Sequence, residues 1–289
     1  MSPDPRAARR CHNMLNSLHS TLYFSPDLNT ELAKEGIEDR SAAYFAARSA
    51  AMGAVGAGTV TSTFYNFKHE LVARHVPAVW QVASPETVLA ARARAVDSTL
   101  RRLLGDEAVA SPEMAEAATL ALRAAEACTR HARPLYAAHA DLPVPEEPHL
   151  ALWHATALLR EYRGDGHLAA LIAAELDPVE ALVSHVATGK GMAPKWILAT
   201  RGWTPEEFAQ GAERLRARGL LTQDEELTLT EEGAELRKAL EARTDALDRA
   251  PYAHLGEEGV ARLTELATVF AGAAFTNGAF PADLIGKTA

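Results

Sequence analysis

The sequence predicts a mainly α-helical protein, with an N-terminal helical domain over residues 1–145. A second domain over 146–289 carries helices interrupted by one small β-hairpin. Three observations lead there. Capping side chains stand before proline at Ser25-Pro26, Ser84-Pro85, Ser111-Pro112, Asp177-Pro178 and Thr204-Pro205, the pattern of a helix start. Apolar residues then recur at helical spacing, as in Val88, Leu89, Val96, Leu100 and Leu103. Strand-like alternation is nearly absent before residue 220.

In order, helices are predicted near 5–22, 26–35, 40–56, 59–67, 69–81, 85–104, 112–130 and 134–140, with Gly105 closing the sixth. The run from Asp141 to Pro148 holds three prolines and cannot be helical, so it serves as the domain boundary. Helices near 149–163, 166–174, 178–187 and 193–200 follow. Gly164 is read as the end of the first of these and Asp165 as the cap of the next, which would leave Gly166 and His167 at a helix N-terminus able to receive an anion. Long helices near 231–249 and 257–275 suit a homodimer.

Residues 150–171 concentrate the polar chemistry. On a helical wheel Leu150, Ala151, His154, Ala157, Leu158 and Glu161 share one side, so an imidazole and a carboxylate two turns apart lie on an inward stripe. Buried ionisable groups need partners. His154 and Glu161 are therefore expected as a coupled pair in a polar pocket, with Asp165 and His167 at its mouth. Trp153 and Arg160 fall opposite. Tyr44 and Arg48, one turn apart, are candidates to face the same cavity, Arg48 and Arg160 holding an anionic group. Phe64, Tyr65, Asn66, Phe67 and Trp80 would form the opposite wall. The plain reading is a capping Asp165, a satisfied core histidine and packed aromatics.

Composition bounds the rest. Formal charge is −9 over 289 residues, the wrong sign for coating nucleic acid, and the two cysteines, Cys11 and Cys128, suggest reduced thiols and a cytoplasmic address. No apolar segment follows Arg6, Arg9 and Arg10, and the uncharged run at 49–67 is too polar for a membrane span. Of eleven histidines, His149, His154, His167 and His185 gather near the central stretch, but in no tight ligand spacing, so no metal ligand is assigned and the cofactor is left unknown. Gly53, Gly56 and Gly58 follow no strand and make no nucleotide cradle.

From Trp196 onward the order is helix, turn at Arg201-Gly202-Trp203, capped helix over 205–218, hairpin over 220–229 and long helix. That is the order of a winged helix. This region, with Leu215-Arg216-Ala217-Arg218-Gly219-Leu220-Leu221 and Leu229-Thr230-Glu231-Glu232-Gly233, resembles MarR-type winged-helix proteins. Nearly the whole chain is similar to actinobacterial helix-turn-helix proteins without an assigned reaction, through Tyr44-Phe45-Ala46-Ala47-Arg48, Phe64-Tyr65-Asn66-Phe67, Leu152-Trp153-His154, Arg160-Glu161 with Arg163-Gly164-Asp165-Gly166-His167, and Arg201-Gly202-Trp203. Ala51-Met52-Gly53 departs from the Pro-Leu-Gly expected there. The resemblance implies a fold and leaves the chemistry open. DNA is a possible partner, yet Glu206, Glu207 and Glu213 on the recognition helix and Asp224, Glu225 and Glu226 at the hairpin tip oppose it. The function expected is small-molecule binding in a polar helical pocket, within a ligand-responsive regulator. The alternative is an enzyme on the same scaffold, with His154 and Glu161 as acid and base: a specialised-metabolite tailoring enzyme or a DNA glycosylase.

Overall fold

A computed structural model describes residues 3–285. Among these the regular structure is helical: α1 (Pro5–Ser20), α2 (Pro26–Lys34), α3 (Arg40–Ser49), α4 (Ala57–Phe64), α5 (His69–Ala73), α6 (Val79–Val82), α7 (Pro85–Leu104), α8 (Asp106–Val109), α9 (Pro112–Ala125), α10 (Pro134–Ala140), α11 (Pro148–Ala173), α12 (Pro178–Val186), α13 (Pro194–Arg201), α14 (Pro205–Ala217), α15 (Glu231–Leu247) and α16 (Arg249–Thr276). Every Ser/Asp/Thr-Pro start predicted above is a true cap. Ser25, Ser84, Ser111, Asp177 and Thr204 each accept from a backbone N–H of the following turn, and the last two complete capping boxes with Glu180 and Glu207.

The helices fall into two units that interleave in sequence. One comprises Met1–Gly56, His75–Gly166 and Asp245–Phe280; the other comprises Ala57–Arg74, His167–Thr244 and Pro281–Ala289. The proline-rich loop expected as the domain boundary lies within the first of these units. That loop only precedes α11.

In the first unit α1 and α9 pack on α16, and α2 and α3 pack on α7. Leu15, Leu18, Leu22, Phe45, Leu100, Leu103, Met114, Leu152, Leu159 and Tyr252 are fully buried there. Full burial of one such Leu or Phe contributes roughly 1.5–3 kcal/mol. The expected dimer helix over 257–275 is part of α16, which turns at Gly256 (φ 80°) and spends its apolar face on α1, α7 and α9.

The largest departure from the sequence reading is α11. It runs unbroken through Gly164, Asp165 and Gly166, so no helix N-terminus exists at His167. Gly166 serves close approach instead. A Cβ on Gly166 would collide with the Arg133 guanidinium, whose Nη1 donates to the Tyr162 carbonyl and whose Nη2 donates to Leu247 O at 2.9 Å. Asp165 is a cap, but of another helix. Its Oδ2 accepts from Leu135 N at 3.1 Å and Tyr136 N at 3.0 Å, the first turn of α10.

In the second unit α12 packs on α14, where Gly211 leaves room for Val179; a Cβ there would lie 2.5 Å from Val179 Cγ1. Helix α13 ends on Gly202 in the left-handed region (φ 82°), and α14 starts three residues later at Pro205, the helix-turn-helix element. The β-hairpin wing is not formed: no β-strand occurs among the described residues, and residues 220–229 hold a single antiparallel bridge, Leu221 to Leu229. Arg216 gives the reason. Its Nε donates to Thr222 O at 3.0 Å and its Nη2 to Asp224 O at 2.7 Å, so the loop is tied to α14 through carbonyls a ladder would otherwise use. The acidic run Asp224-Glu225-Glu226 at the tip adds like-charge repulsion across any tighter pairing.

Candidate functional site

Helix α11 is buried almost all round from Ala151 to Leu159, so even its polar side must be matched from within the protein. The matching charge comes from α3 and α7. Glu161, 3% exposed, faces Arg48 Nη2 at 3.5 Å and accepts from Arg160 Nη1 on its other oxygen. Arg48 also donates to the Tyr44 hydroxyl at 3.1 Å. Arg160 donates from Nε to Asn16 Oδ1 at 3.0 Å and lies over the Tyr23 ring, which packs edge-on against Tyr44.

A third arginine completes the group. Arg92 of α7 is 5% exposed, and its Nη1 donates to Ala47 O at 2.8 Å and to His139 Nε2 at 3.3 Å. Because His139 Nδ1 must donate to Leu135 O at 2.9 Å, its Nε2 is the acceptor, and the ring is a fixed neutral tautomer. The Arg92 guanidinium stands over the face of Trp153 at 5.3 Å; that indole is stacked on His19 at 4.5 Å and donates to His19 O. Two guanidiniums thus meet one carboxylate, and the third, on Arg92, is held by a carbonyl and a neutral imidazole.

Ionisation follows from that balance. Burial works against a charged Glu161, but Arg160 and Arg48 outweigh it and hold the carboxyl down at about 2. Burial, then the Arg92 charge, lowers His154 and His139 to about 4 each, and His19 is pushed well below the ordinary range by burial and Arg160. At neutral pH the cluster is three arginines, one glutamate and three neutral imidazoles.

Of the residues singled out from sequence, Tyr44, Arg48, Trp153, His154, Arg160 and Glu161 all lie in the first unit. Tyr44, Arg48, Arg160 and Glu161 are joined by contact, and Trp153 and His154 are tied in through Arg92. The expected His154–Glu161 pair is not made: Glu161 is taken by two arginines, and His154, 6% exposed, has no hydrogen-bond partner among the described residues. Asp165 spends its carboxylate on α10, burial lifting it to about 6. His167 belongs to the second unit, where Nδ1 meets Thr244 Oγ1 at 2.9 Å. Asn66 is also in the second unit, its carbonyl accepting from Trp203 Nε1 at 2.9 Å beside Phe64 and Phe67. The expected aromatic wall is therefore helix-turn-helix core, while Trp80 bonds Val55 O within the first unit.

Sequence reasoning passed over Arg92, His139, His19 and Tyr23. Arg92 had a readable sign: it sits four residues from both Val88 and Val96, an arginine on the buried stripe of α7. An open, mostly apolar groove along α1 and α16, lined by Ala7, Val260, Ala261 and Val269 among others, contains none of these site residues. Among the described residues no three His, Cys, Asp or Glu side chains gather as a metal site would require. His149 instead meets Asp97 at 2.6 Å and His185 meets Arg237 at 3.2 Å.

The helix-turn-helix unit spends its cations internally. Arg214 meets Asp177 at 2.6 Å, Arg216 meets Glu213 at 2.7 Å and Arg218 meets Glu180 at 3.1 Å. Lys68 is held by Glu207 and Lys195 by Asp283, while Arg201 lies 4.3 Å over Phe67.

The architecture is that of a helical protein that carries a helix-turn-helix element and, in its other unit, a buried arginine cluster. The chain belongs to the helix-turn-helix family, whose pattern it matches over residues 8–281. No curated protein and no solved structure matches it. No helix among the described residues is long and apolar enough to cross a membrane.

Proposed function

We propose that this protein binds a small anionic molecule at the Arg48–Arg92–Arg160 cluster and is a ligand-responsive, MarR-like regulator of the helix-turn-helix family. One observation carries the reading: the buried guanidinium of Arg92 and the mostly covered ones of Arg48 and Arg160 lie in one unit with a single buried carboxylate, Glu161, among their charges. Isolated charge in such surroundings is expensive, and proteins neutralise it or use it to hold an ion. An arriving anion supplies the missing negative charge, with Tyr44, Trp153 and His154 as its polar and aromatic surround. The enzymatic alternative is less favoured, because His154 near 4 and Glu161 near 2 are both far from the neutral range an acid/base pair needs.

Helices α11 and α15 each carry residues of both units, which supplies covalent continuity from the cluster to the helix-turn-helix element. DNA affinity of the resting protein is expected to be weak, since Arg214, Arg216 and Arg218 would have to leave carboxylates to meet phosphates. Native mass spectrometry of protein purified from its own cells tests the ligand, with a bound small anion expected. A gel shift on its own upstream DNA at low salt, with and without that molecule, tests regulation. An empty protein that leaves DNA unshifted in both conditions would end the reading.

A further inference from the structure

We propose that Asp248 is a proton-operated latch: while it holds its proton the turn between α15 and α16 stays closed on α1 and α11, and loss of the proton opens that turn to water. The latch is independent of what the arginine cluster binds. Asp248 stands at the N-cap of α16, where an aspartate ordinarily accepts from backbone N–H groups of the first turn, yet it makes no such bond. Its carboxyl is buried instead, the residue being 2% exposed. Oδ2 lies 3.4 Å from Arg163 Nη1 of α11 and 3.8 Å from His12 Nδ1 of α1, and Oδ1 is buried with no hydrogen-bond partner among the described residues. An ionised carboxylate calls for several donors. One long contact and a bare oxygen do not supply them, so the enclosure fits the neutral acid.

The neighbours on every side bear this out. Arg163 spends the shorter contact of the same nitrogen on Asp245 Oδ1, at 2.9 Å, and Arg9 of α1 holds Asp245 as well. Arg133, from the turn before α10, donates to the carbonyl of Leu247, one residue ahead of the acid. His12 Nδ1 meets the Tyr252 hydroxyl at 3.3 Å, and burial with the Arg163 and Arg160 charges pushes that imidazole well below its ordinary range, so it is neutral. Tyr252, Cys11 and Cys128 are pushed up by burial first and by the Asp248 charge as well, and they too stay neutral. Burial lifts Asp248 itself to about 7 against the pull of Arg163 and Arg133.

Position gives the latch its reach. Arg163 stands three residues before Gly166, the last residue of α11 in the first unit, and Asp245 is the first residue of α15 in that unit. The acid therefore lies where the two helices that continue into the second unit are ion-paired to each other. Opening hydrates the carboxyl and returns it toward its ordinary value, so opening releases a proton and is favoured as pH rises. A carboxyl that moves between about 7 when closed and 3.8 when open favours opening about tenfold more at pH 8 than at pH 6. His12 runs the other way, because opening lets it take a proton below pH 6.5.

Amide hydrogen exchange of the full chain at pH 6 and pH 8, each rate divided by its intrinsic value, reads the opening at residues 245–252. The comparison is with Asp248→Asn, whose amide imitates the protonated acid in shape and charge and leaves the His12 contribution in place. Protection should fall about tenfold more in wild type than in Asp248→Asn over that pH step, with α14 alike in both proteins. Should Asp248→Asn not fold, carbon-13 spectra of the wild-type chain labelled at aspartate carry the test. The Asp248 carboxyl resonance, assigned through its own Cβ protons, should titrate near 7. The same pH dependence of exchange in both proteins, or an Asp248 carboxyl that titrates below about 5, overturns the latch.

Discussion

Replacing Glu161 with Gln tests the charge balance on which the site depends. The substitution keeps the side chain's shape and removes the one negative charge between Arg48, 3.5 Å away, and Arg160. Breaking a buried ion pair from one side leaves its partner uncompensated and costs about 3–5 kcal/mol. Arg160 retains some exposure (21%) and so recovers part of its hydration, which puts the expectation at about 3 kcal/mol, near the lower end of that range. For a chain of 289 residues that corresponds to a fall in Tm of roughly 5 °C. The assay is thermal unfolding by circular dichroism at pH 7 for wild type, Glu161→Gln, Arg48→Met and the double variant. The double variant should lose clearly less than the sum of the singles, because removing the partner removes the orphaned charge. Acetate at tens of millimolar should restore part of the loss in Glu161→Gln by supplying a carboxylate in trans. A loss below about 1 kcal/mol, or strict additivity, would show that the arginines are satisfied without Glu161 and that the cluster has no appetite for an anion.

Three further expectations follow from the geometry. Gly166→Ala should destabilise by about 1–3 kcal/mol because its Cβ meets the Arg133 guanidinium, whereas Gly164→Ala, whose nearest neighbour lies at 3.6 Å, should gain up to about 1 kcal/mol of helix propensity; equal effects in urea titrations would refute the close-approach reading. His154 and His139 have folded values near 4 against 6.5 in an unfolded chain, so the unfolded state takes the proton first. Their contribution is whole above pH 6.5 and is lost as pH falls toward 4, by up to about 3 kcal/mol each; His154→Gln should flatten that slope of urea midpoint against pH, and an unchanged slope would contradict it. Asp248, lifted to about 7 by burial, runs the other way, favouring the fold below pH 3.8 and losing that contribution as pH rises through 7, so the two slopes partly cancel. Asp177→Ser keeps the helix cap and removes the nearer of the two carboxylates on Arg214, leaving Glu180 at 3.6 Å, so nonspecific DNA binding should strengthen and its salt dependence steepen by up to about one ion; an unmoved slope would mean that this ion pair does not silence the helix-turn-helix element.

What was legible in the sequence was local. A capping residue before proline states its own consequence within four residues, and all five such helices begin where the pairs stand. Arg48, Arg160 and Glu161 could be nominated because a charged group on a buried helix must be matched somewhere. What could not be read was which element does the matching. Gly164 looked like a stop signal, yet α11 runs through it; the crowding is at Gly166, and only the position of Arg133, some thirty residues earlier, shows it. Asp165 was expected to cap the helix that follows it; it lies inside α11, and its carboxylate meets the first turn of a helix thirty residues upstream. Leu220 to Leu229 has the alternation of a hairpin, and the arginine that diverts its carbonyls sits on a neighbouring helix whose direction periodicity alone does not give. Asn66 and Arg48 fail to share a site for a similar reason: closeness in the chain says nothing of which unit a segment joins.

That last point bears on how the protein can be taken apart. The backbone passes between the two units at 56/57, 74/75, 166/167, 244/245 and 280/281, three of those passages outside the ranges of any helix and two inside α11 and α15. No single cleavage liberates either unit intact. A fragment beginning at residue 146 would take α11 away from Arg48, Arg92 and Arg133, and would carry α16 without α1 or α9 to cover it. The helix-turn-helix element is therefore not a cassette that can be exchanged for another. Substitutions in either unit are therefore to be tested in the full chain.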